Sequence, residues 1–244
     1  MKKILLLAAG LAMFMTSCSS DDSSKSASTP VLLTKLIETF EDNSTLTTEY
    51  EYSGTKLIRM TDDEGRFEFT YTNDLITQVK YYESNTLLQT ETYQYDASGR
   101  VTTYIIVDNI DTDWGNRETY TYNSNGTVLI NYYYGDAVSQ TNFDKTATVT
   151  FLNGEVKEFS FSDGQTITYT YDNMNNPFKN VTGFDKINIC NQEGSGVLHN
   201  VTQEVYTDIS ENISTTYTYN SNDYPATSVE TSFEVTNAQY FYNQ

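Results

Sequence analysis

Very few residues of this chain could do chemistry. His199 is the only histidine among 244 residues, so a histidine-rich metal site is excluded and any Ser-His-Asp triad would have to pass through it. No Gly-x-Ser-x-Gly elbow accompanies it, and His199 reads as a loop or strand-end residue. Gly194-Ser195-Gly196 lacks the following lysine and the helix start of a phosphate cradle, and reads as a flexible loop. Asp108, Asp111 and Asp113 form the best metal candidate, because calcium wants several carboxylate and carbonyl oxygens. Their spacing lacks the closing Glu of an EF-hand, and the competing reading is a polar hairpin loop carrying the only Trp, Trp114. A glycosidase needs two carboxyl groups facing each other across a sugar. Among 33 Asp and Glu, no pair is singled out. The expectation is therefore no catalytic residue, no metal and no cofactor.

The two cysteines differ in context. Lys2 and Lys3 precede an apolar run from Ile4 to Met15, and Cys18 follows the small residues Thr16 and Ser17. A cationic start, a short apolar core and small residues are the parts of a secretory signal peptide. The run is shorter than the roughly 20 apolar residues a membrane-spanning helix requires. Residues 1–17 are expected to be the leader. The placement of Cys18 resembles a bacterial lipobox, with Met15 where Leu is usual. Cys18 would then be the lipidated first residue of the mature chain and its anchor to a membrane. An ordinary cleaved leader with an incidental cysteine is the alternative. Residues 18–30 carry Ser and Asp with almost nothing large and apolar, and read as a flexible tether. Within them, Ser19-Ser20-Asp21-Asp22 resembles the acidic stretch that sorts some Gram-negative lipoproteins to the cell surface. A solvated linker would look the same. With Cys18 lipidated, Cys190 has no disulfide partner and reads as a small buried residue at a strand end.

The net charge is −19, and loss of Lys2 and Lys3 with the leader makes it more negative still. Such a surface repels phosphate backbones, so nucleic acid is excluded as a partner. The 21 Tyr and 12 Phe, set among abundant Thr, Asn and Ser with only 3 Pro, are an all-β composition. An aromatic pair at i and i+2 recurs ahead of turn residues. It appears as Tyr50-Glu51-Tyr52, Phe69-Thr70-Tyr71, Tyr93-Gln94-Tyr95, Tyr120-Thr121-Tyr122, Tyr169-Thr170-Tyr171 and Tyr217-Thr218-Tyr219. Residues i and i+2 share one face of a strand. Asn-Gly and Asp-rich turns supply the positive φ of tight hairpins. Each repeat thus reads as strand, turn, strand. Residues 175–199 carry Pro177, Gly183, Gly194 and Gly196 and interrupt the series with a short helical turn and a longer loop.

Residues 31–244 are expected to form one all-β domain. Its strands make an antiparallel hairpin meander curled into a barrel or half-barrel of about 14 to 16 strands. Alternate positions such as Glu49, Glu51, Glu68, Gln94 and Thr121 are polar, so no lipid-facing apolar band is expected.

Tyr93-Gln94-Tyr95-Asp96-Ala97-Ser98-Gly99-Arg100-Val101-Thr102 resembles the YD repeat of RHS-type proteins. The other copies keep the aromatic pair and the turn but not Gly99 and Arg100. More broadly, the Tyr-x-Tyr hairpins, Tyr171-Asp172-Asn173 with Asn176-Pro177-Phe178-Lys179-Asn180, and Asn200-Val201-Thr202 are similar to a family of Gram-negative lipoproteins of unknown function. That family is described as having a porin-like fold. The resemblance implies an outer-membrane lipoprotein, surface-exposed or otherwise facing the periplasm, and carries no catalytic residue.

Three functional readings follow. The first is a non-enzymatic binding protein, its ligand a glycan stacked on tyrosines or an apolar small molecule. The second is a structural or partner-docking surface module. The third is a hydrolase with an unrecognised carboxylate site. Most tyrosines are expected to fill the interior, because a curled sheet needs large side chains there.

Overall fold

A computed structural model describes residues 29–192, 194, 196–207, 212–232 and 235–244. Sixteen strands run in sequence. The first eight are β1 (Leu33–Thr39), β2 (Thr45–Ser53), β3 (Lys56–Thr61), β4 (Arg66–Thr72), β5 (Leu75–Glu83), β6 (Thr86–Tyr95), β7 (Val101–Asp108) and β8 (Gly115–Tyr122). The rest are β9 (Val128–Gly135), β10 (Asn142–Leu152), β11 (Glu155–Phe161), β12 (Thr166–Tyr171), β13 (Val201–Tyr206), β14 (Asn212–Tyr219), β15 (Pro225–Thr231) and β16 (Val235–Tyr242). Each pairs antiparallel with the next, and β16 returns to β1 with Leu36 opposite Tyr240. The sheet is therefore a closed barrel rather than a half-barrel, at the upper end of the expected strand number. Closure leaves no unpaired edge.

Turn chemistry explains the hairpins. Asn153 and Gly154 sit at φ 54° and 89°, the two left-handed positions of a tight hairpin turn. The aromatic repeats have a further role. The pairing register slips at the second aromatic of a pair in five adjacent strand pairs, at Tyr52, Tyr71, Tyr95, Tyr171 and Tyr219. An extra residue on the partner strand bulges there, sharpening the local twist. Tyr50 thus faces Met60 and Tyr52 faces Leu57, so both rings point into the barrel. Phenol hydroxyls then stitch successive hairpins together. Tyr95 donates to the Ile76 carbonyl at 2.5 Å and Tyr171 to the Val156 carbonyl at 2.7 Å.

The outer wall carries an ion ladder. On β2, β3 and β4, Glu51, Arg59 and Glu68 lie in register. Arg59 reaches Glu51 at 3.4 Å and Glu68 at 3.9 Å, and Arg66 reaches Glu68 at 2.9 Å.

The inner wall does not meet itself across the barrel. The β12–β13 connection, residues 172–200, folds into one end as a plug, with helix α1 (Phe184–Ile187) and a 3-10 turn at Cys190–Gln192. Its Thr182 N–H bonds the Thr55 carbonyl, and its Asn180 amide bonds the Val31 carbonyl and the Tyr224 hydroxyl. Phe184 packs against both apolar clusters of the interior. One is built on β5–β12 and the other on β1–β3 with Val181.

Candidate functional site

Three buried or half-buried carboxylates fasten the plug, and each uses charge where backbone N–H groups would otherwise go unpaired. Glu155 on β11 is 3% exposed. It accepts the N–H groups of Val197, Leu198 and His199 at 3.3, 2.9 and 2.8 Å. Asp172 accepts from Met174 and Asn200 N–H, from the Asn200 amide, and from the Tyr219 hydroxyl. Glu118 on β8 accepts Asn191 N–H at 3.2 Å and the Tyr120 hydroxyl. Aromatic contact completes the seat. Phe178 and Phe184 stack at 5.1 Å, Tyr50 lies 5.8 Å from Phe178, and Phe69 lies 6.0 Å from Phe184.

The plug leaves a cavity of about 630 Å³ in the lumen. That size falls within the usual range for small-molecule sites. Its apolar wall includes Leu36, Met60, Phe67, Val79 and Phe178, and its floor includes Asn176, Asn188 and Asn200 of the plug. Three carboxylates line it: Glu91 on β6, Glu204 on β13 and Glu230 on β15. Glu91 accepts from the Tyr93 hydroxyl and from the Gln89 amide at 3.2 Å. Glu204 accepts the Tyr206 hydroxyl at 2.8 Å. Burial pushes Glu91 above the ordinary carboxylate range, against the pull of those donors. Burial also raises Glu204, and the charge of Glu230 adds to it. Glu38 on β1 is raised by burial, then by Glu230 and Asp62.

The residues singled out in the sequence fall elsewhere. Cys18, the leader at 1–17 and most of the tether lie outside the described residues. Asp108 ends β7, and Asp111 and Asp113 sit in the β7–β8 loop at the unplugged end. Asp108 caps the Ile110 and Asp111 N–H groups at 2.6 and 2.7 Å, and Asp111 caps Asp113 N–H. These carboxylates thus build the turn. Among the described residues no group of three or more His, Cys, Asp or Glu gathers as a metal site. His199 ends the plug, its Nδ1 3.4 Å from Glu155.

Two readings change. Cys190 is buried, as expected, but it belongs to the plug's 3-10 turn rather than a strand end. Gly194 and Gly196 are not a loose loop, since both are buried. A Cβ on Gly194 would meet the Tyr169 ring at 2.4 Å, and one on Gly196 the His199 carbonyl at 2.0 Å. The sequence reading missed Glu91, Glu118, Glu155, Glu204 and Glu230. Part of the signal was there: Glu91-x-Tyr93, Glu118-x-Tyr120 and Glu204-x-Tyr206 each put an acid in phase with an inward ring.

Two solved structures share this fold. A porin-like protein from Bacteroides uniformis ATCC 8492 is 15% identical with a TM-score of 0.51. The match covers 86% of this chain and 96% of that one. A porin-like protein from Bacteroides vulgatus ATCC 8482 is 16% identical with a TM-score of 0.54. It covers 88% of this chain and 99% of that one. At such identity the likeness is one of fold alone. No family model matches the chain, and no curated protein does.

Proposed function

We propose that this chain is a lipid-anchored protein of the Gram-negative outer membrane, exposed at the cell surface, that binds a small molecule with an apolar body inside its barrel without chemical turnover. The carrying observation is the 630 Å³ lumenal cavity, walled by apolar side chains and floored by a plug of the same chain. Large aromatic and aliphatic walls favour a compact apolar ligand over an extended glycan. The leader, Cys18 and the two porin-like barrels of similar fold support an envelope location. The outer wall supports a barrel standing in water. A cation at the bilayer midplane costs a membrane barrel about 2–4 kcal/mol, and Arg59 sits outward in an ion ladder with Glu51 and Glu68.

The fluorescent apolar probe N-phenyl-1-naphthylamine tests this. One molecule should bind per chain, and Leu36→Trp, which fills the cavity from β1, should abolish the signal while the barrel stays folded by circular dichroism. Absence of binding to the wild-type chain, or unchanged binding to the filled variant, sinks the reading. Hydrolysis of aryl glycosides that is lost in Glu204→Gln would replace it with the hydrolase reading.

One observation favours partner docking as a second reading. Ile110, Trp114, Val138 and Phe143 are exposed in the β7–β8 loop and the β9–β10 region at the unplugged end. The Ala137 N–H bonds the Thr112 carbonyl and holds the two loops together. A retained binding partner that is lost on Trp114→Ala and Val138→Asp, with the lumen unaffected, would support it.

A further inference from the structure

We propose that the lumenal ligand carries a cationic ammonium head on its apolar body. This rests on the lumenal reading above and names the chemistry of that site. The cavity's ionisable carboxyl groups are Glu91, Glu204 and Glu230, and no Lys, Arg or His lines it among the described residues. None of the three takes part in an ion pair among those residues. Glu204 and Glu230 lie on β13 and β15 with only β14 between them. The charge of Glu230 therefore acts on Glu204. Two acids placed so, with no basic partner, favour a cation.

The neutral polar groups point the same way. Two of the lining hydroxyls have already spent their protons: Tyr93 donates to Glu91 and Tyr217 to the Val201 carbonyl at 3.0 Å, while Tyr240 shares a bond with Ser228. Asn200, which also lines the cavity, is 1% exposed. Its Nδ2 is held by both Asp172 oxygens and by the Asn175 carbonyl. Those contacts fix which amide atom is nitrogen. The remaining atom, Asn200 Oδ1, is a buried acceptor without a partner. A buried acceptor left unpaired costs about 1–3 kcal/mol, so Asn200 Oδ1 calls for a donor. An ammonium has three donors and no acceptor. A carboxylate head would add charge of the wrong sign, and a hydroxyl brings one donor.

Three probes matched in their chain distinguish the possibilities: octylamine, octanol and octanoate. Each would compete at neutral pH against N-phenyl-1-naphthylamine bound to the full chain. Octylamine should displace the dye at a concentration about tenfold below octanol, with octanoate weakest. Glu204→Gln and Glu230→Gln should each remove most of the octylamine advantage and leave octanol unchanged. If octanol or octanoate competes as well as octylamine, or if both variants keep the advantage, the cationic reading fails while the lumenal site stands. If the dye itself does not bind, the site and this inference fail together.

Discussion

The carboxylate of Glu155 accepts the backbone N–H of His199 at 2.8 Å, across 44 residues of chain. The bond ties the start of β11 to the point where the plug leaves the lumen. The same carboxylate serves Val197 and Leu198, so what it recognises is three consecutive N–H groups and not a side chain. Glu155→Gln loses the charge and one acceptor oxygen. It should destabilise the barrel by about 2–3 kcal/mol, a fall in Tm of roughly 5–10 °C. His199→Ala keeps the N–H and should cost less than about 1 kcal/mol. Thermal melts of the two variants decide. Equal losses would mean that the imidazole, 3.4 Å from Glu155, carries the contact instead.

Gly194 is set by close approach. Its N–H bonds the Tyr169 hydroxyl at 3.2 Å, and a Cβ at this position would meet that ring at 2.4 Å, leaving no room for a methyl group. Tyr169 is itself buried on β12 and cannot retreat. Gly194→Ala should cost about 1–3 kcal/mol by overpacking. In a Tyr169→Leu background the same change should cost much less, because the clash is gone. Additive losses in the double variant would show that Gly194 matters for some other reason.

How far the sequence could be read follows from these residues. Hairpins were legible because turn chemistry and the period-2 aromatic pairs act locally, as at Tyr93-Gln94-Tyr95 ahead of Asp96 and Gly99. Closure was not legible: it depends on Leu36 meeting Tyr240 some two hundred residues away, and no local pattern encodes that meeting. The break at Pro177 marked an irregular segment, but nothing in it said that the segment turns inward. Glycines that read as looseness proved to be the places where the plug touches the wall. The acids were misjudged for a related reason. Glu51 and Glu91 look alike in composition, yet Glu51 alternates with Tyr50 and Tyr52 and points outward. Glu91 instead shares the phase of Tyr93 and points in.

The anchor has a geometric consequence. The chain enters the barrel at the plugged end, where the Gln244 amide bonds the Thr29 carbonyl and the Asn243 amide bonds that of Pro30. A lipid on Cys18 would turn this end toward the membrane and the β9–β10 loop away from it. Cys18→Ala should move the protein from the membrane to the soluble fraction. Val138 is 93% exposed on that loop, and Cys190 is buried. In the lipidated chain, Val138→Cys should therefore be the one thiol labelled by a membrane-impermeant maleimide on intact cells. Persistence of the Cys18→Ala protein on membranes would refute the anchor, and labelling only after the outer membrane is opened would place the loop in the periplasm.

Glu91 gives a pH dependence whose sign can be worked out. Burial raises its folded-state pKa above the ordinary carboxylate range, so over a span of pH the folded chain holds a proton that the unfolded chain has already released. Folding stability from this group is fully present below about pH 4.5 and is lost as pH rises through the folded value. Glu38 and Glu204, also raised chiefly by burial, act with the same sign. Glu91→Gln fixes the side chain in a neutral form that still accepts the Tyr93 hydroxyl. Its melting temperature should equal or exceed that of the wild type near pH 7, and its fall as pH rises above about 4.5 should be shallower. Melts across that range in matched buffers provide the check. Parallel curves for the two proteins would show that Glu91 ionises in the fold as it does in the unfolded chain, and that the lumen around it is wetter than its packing implies.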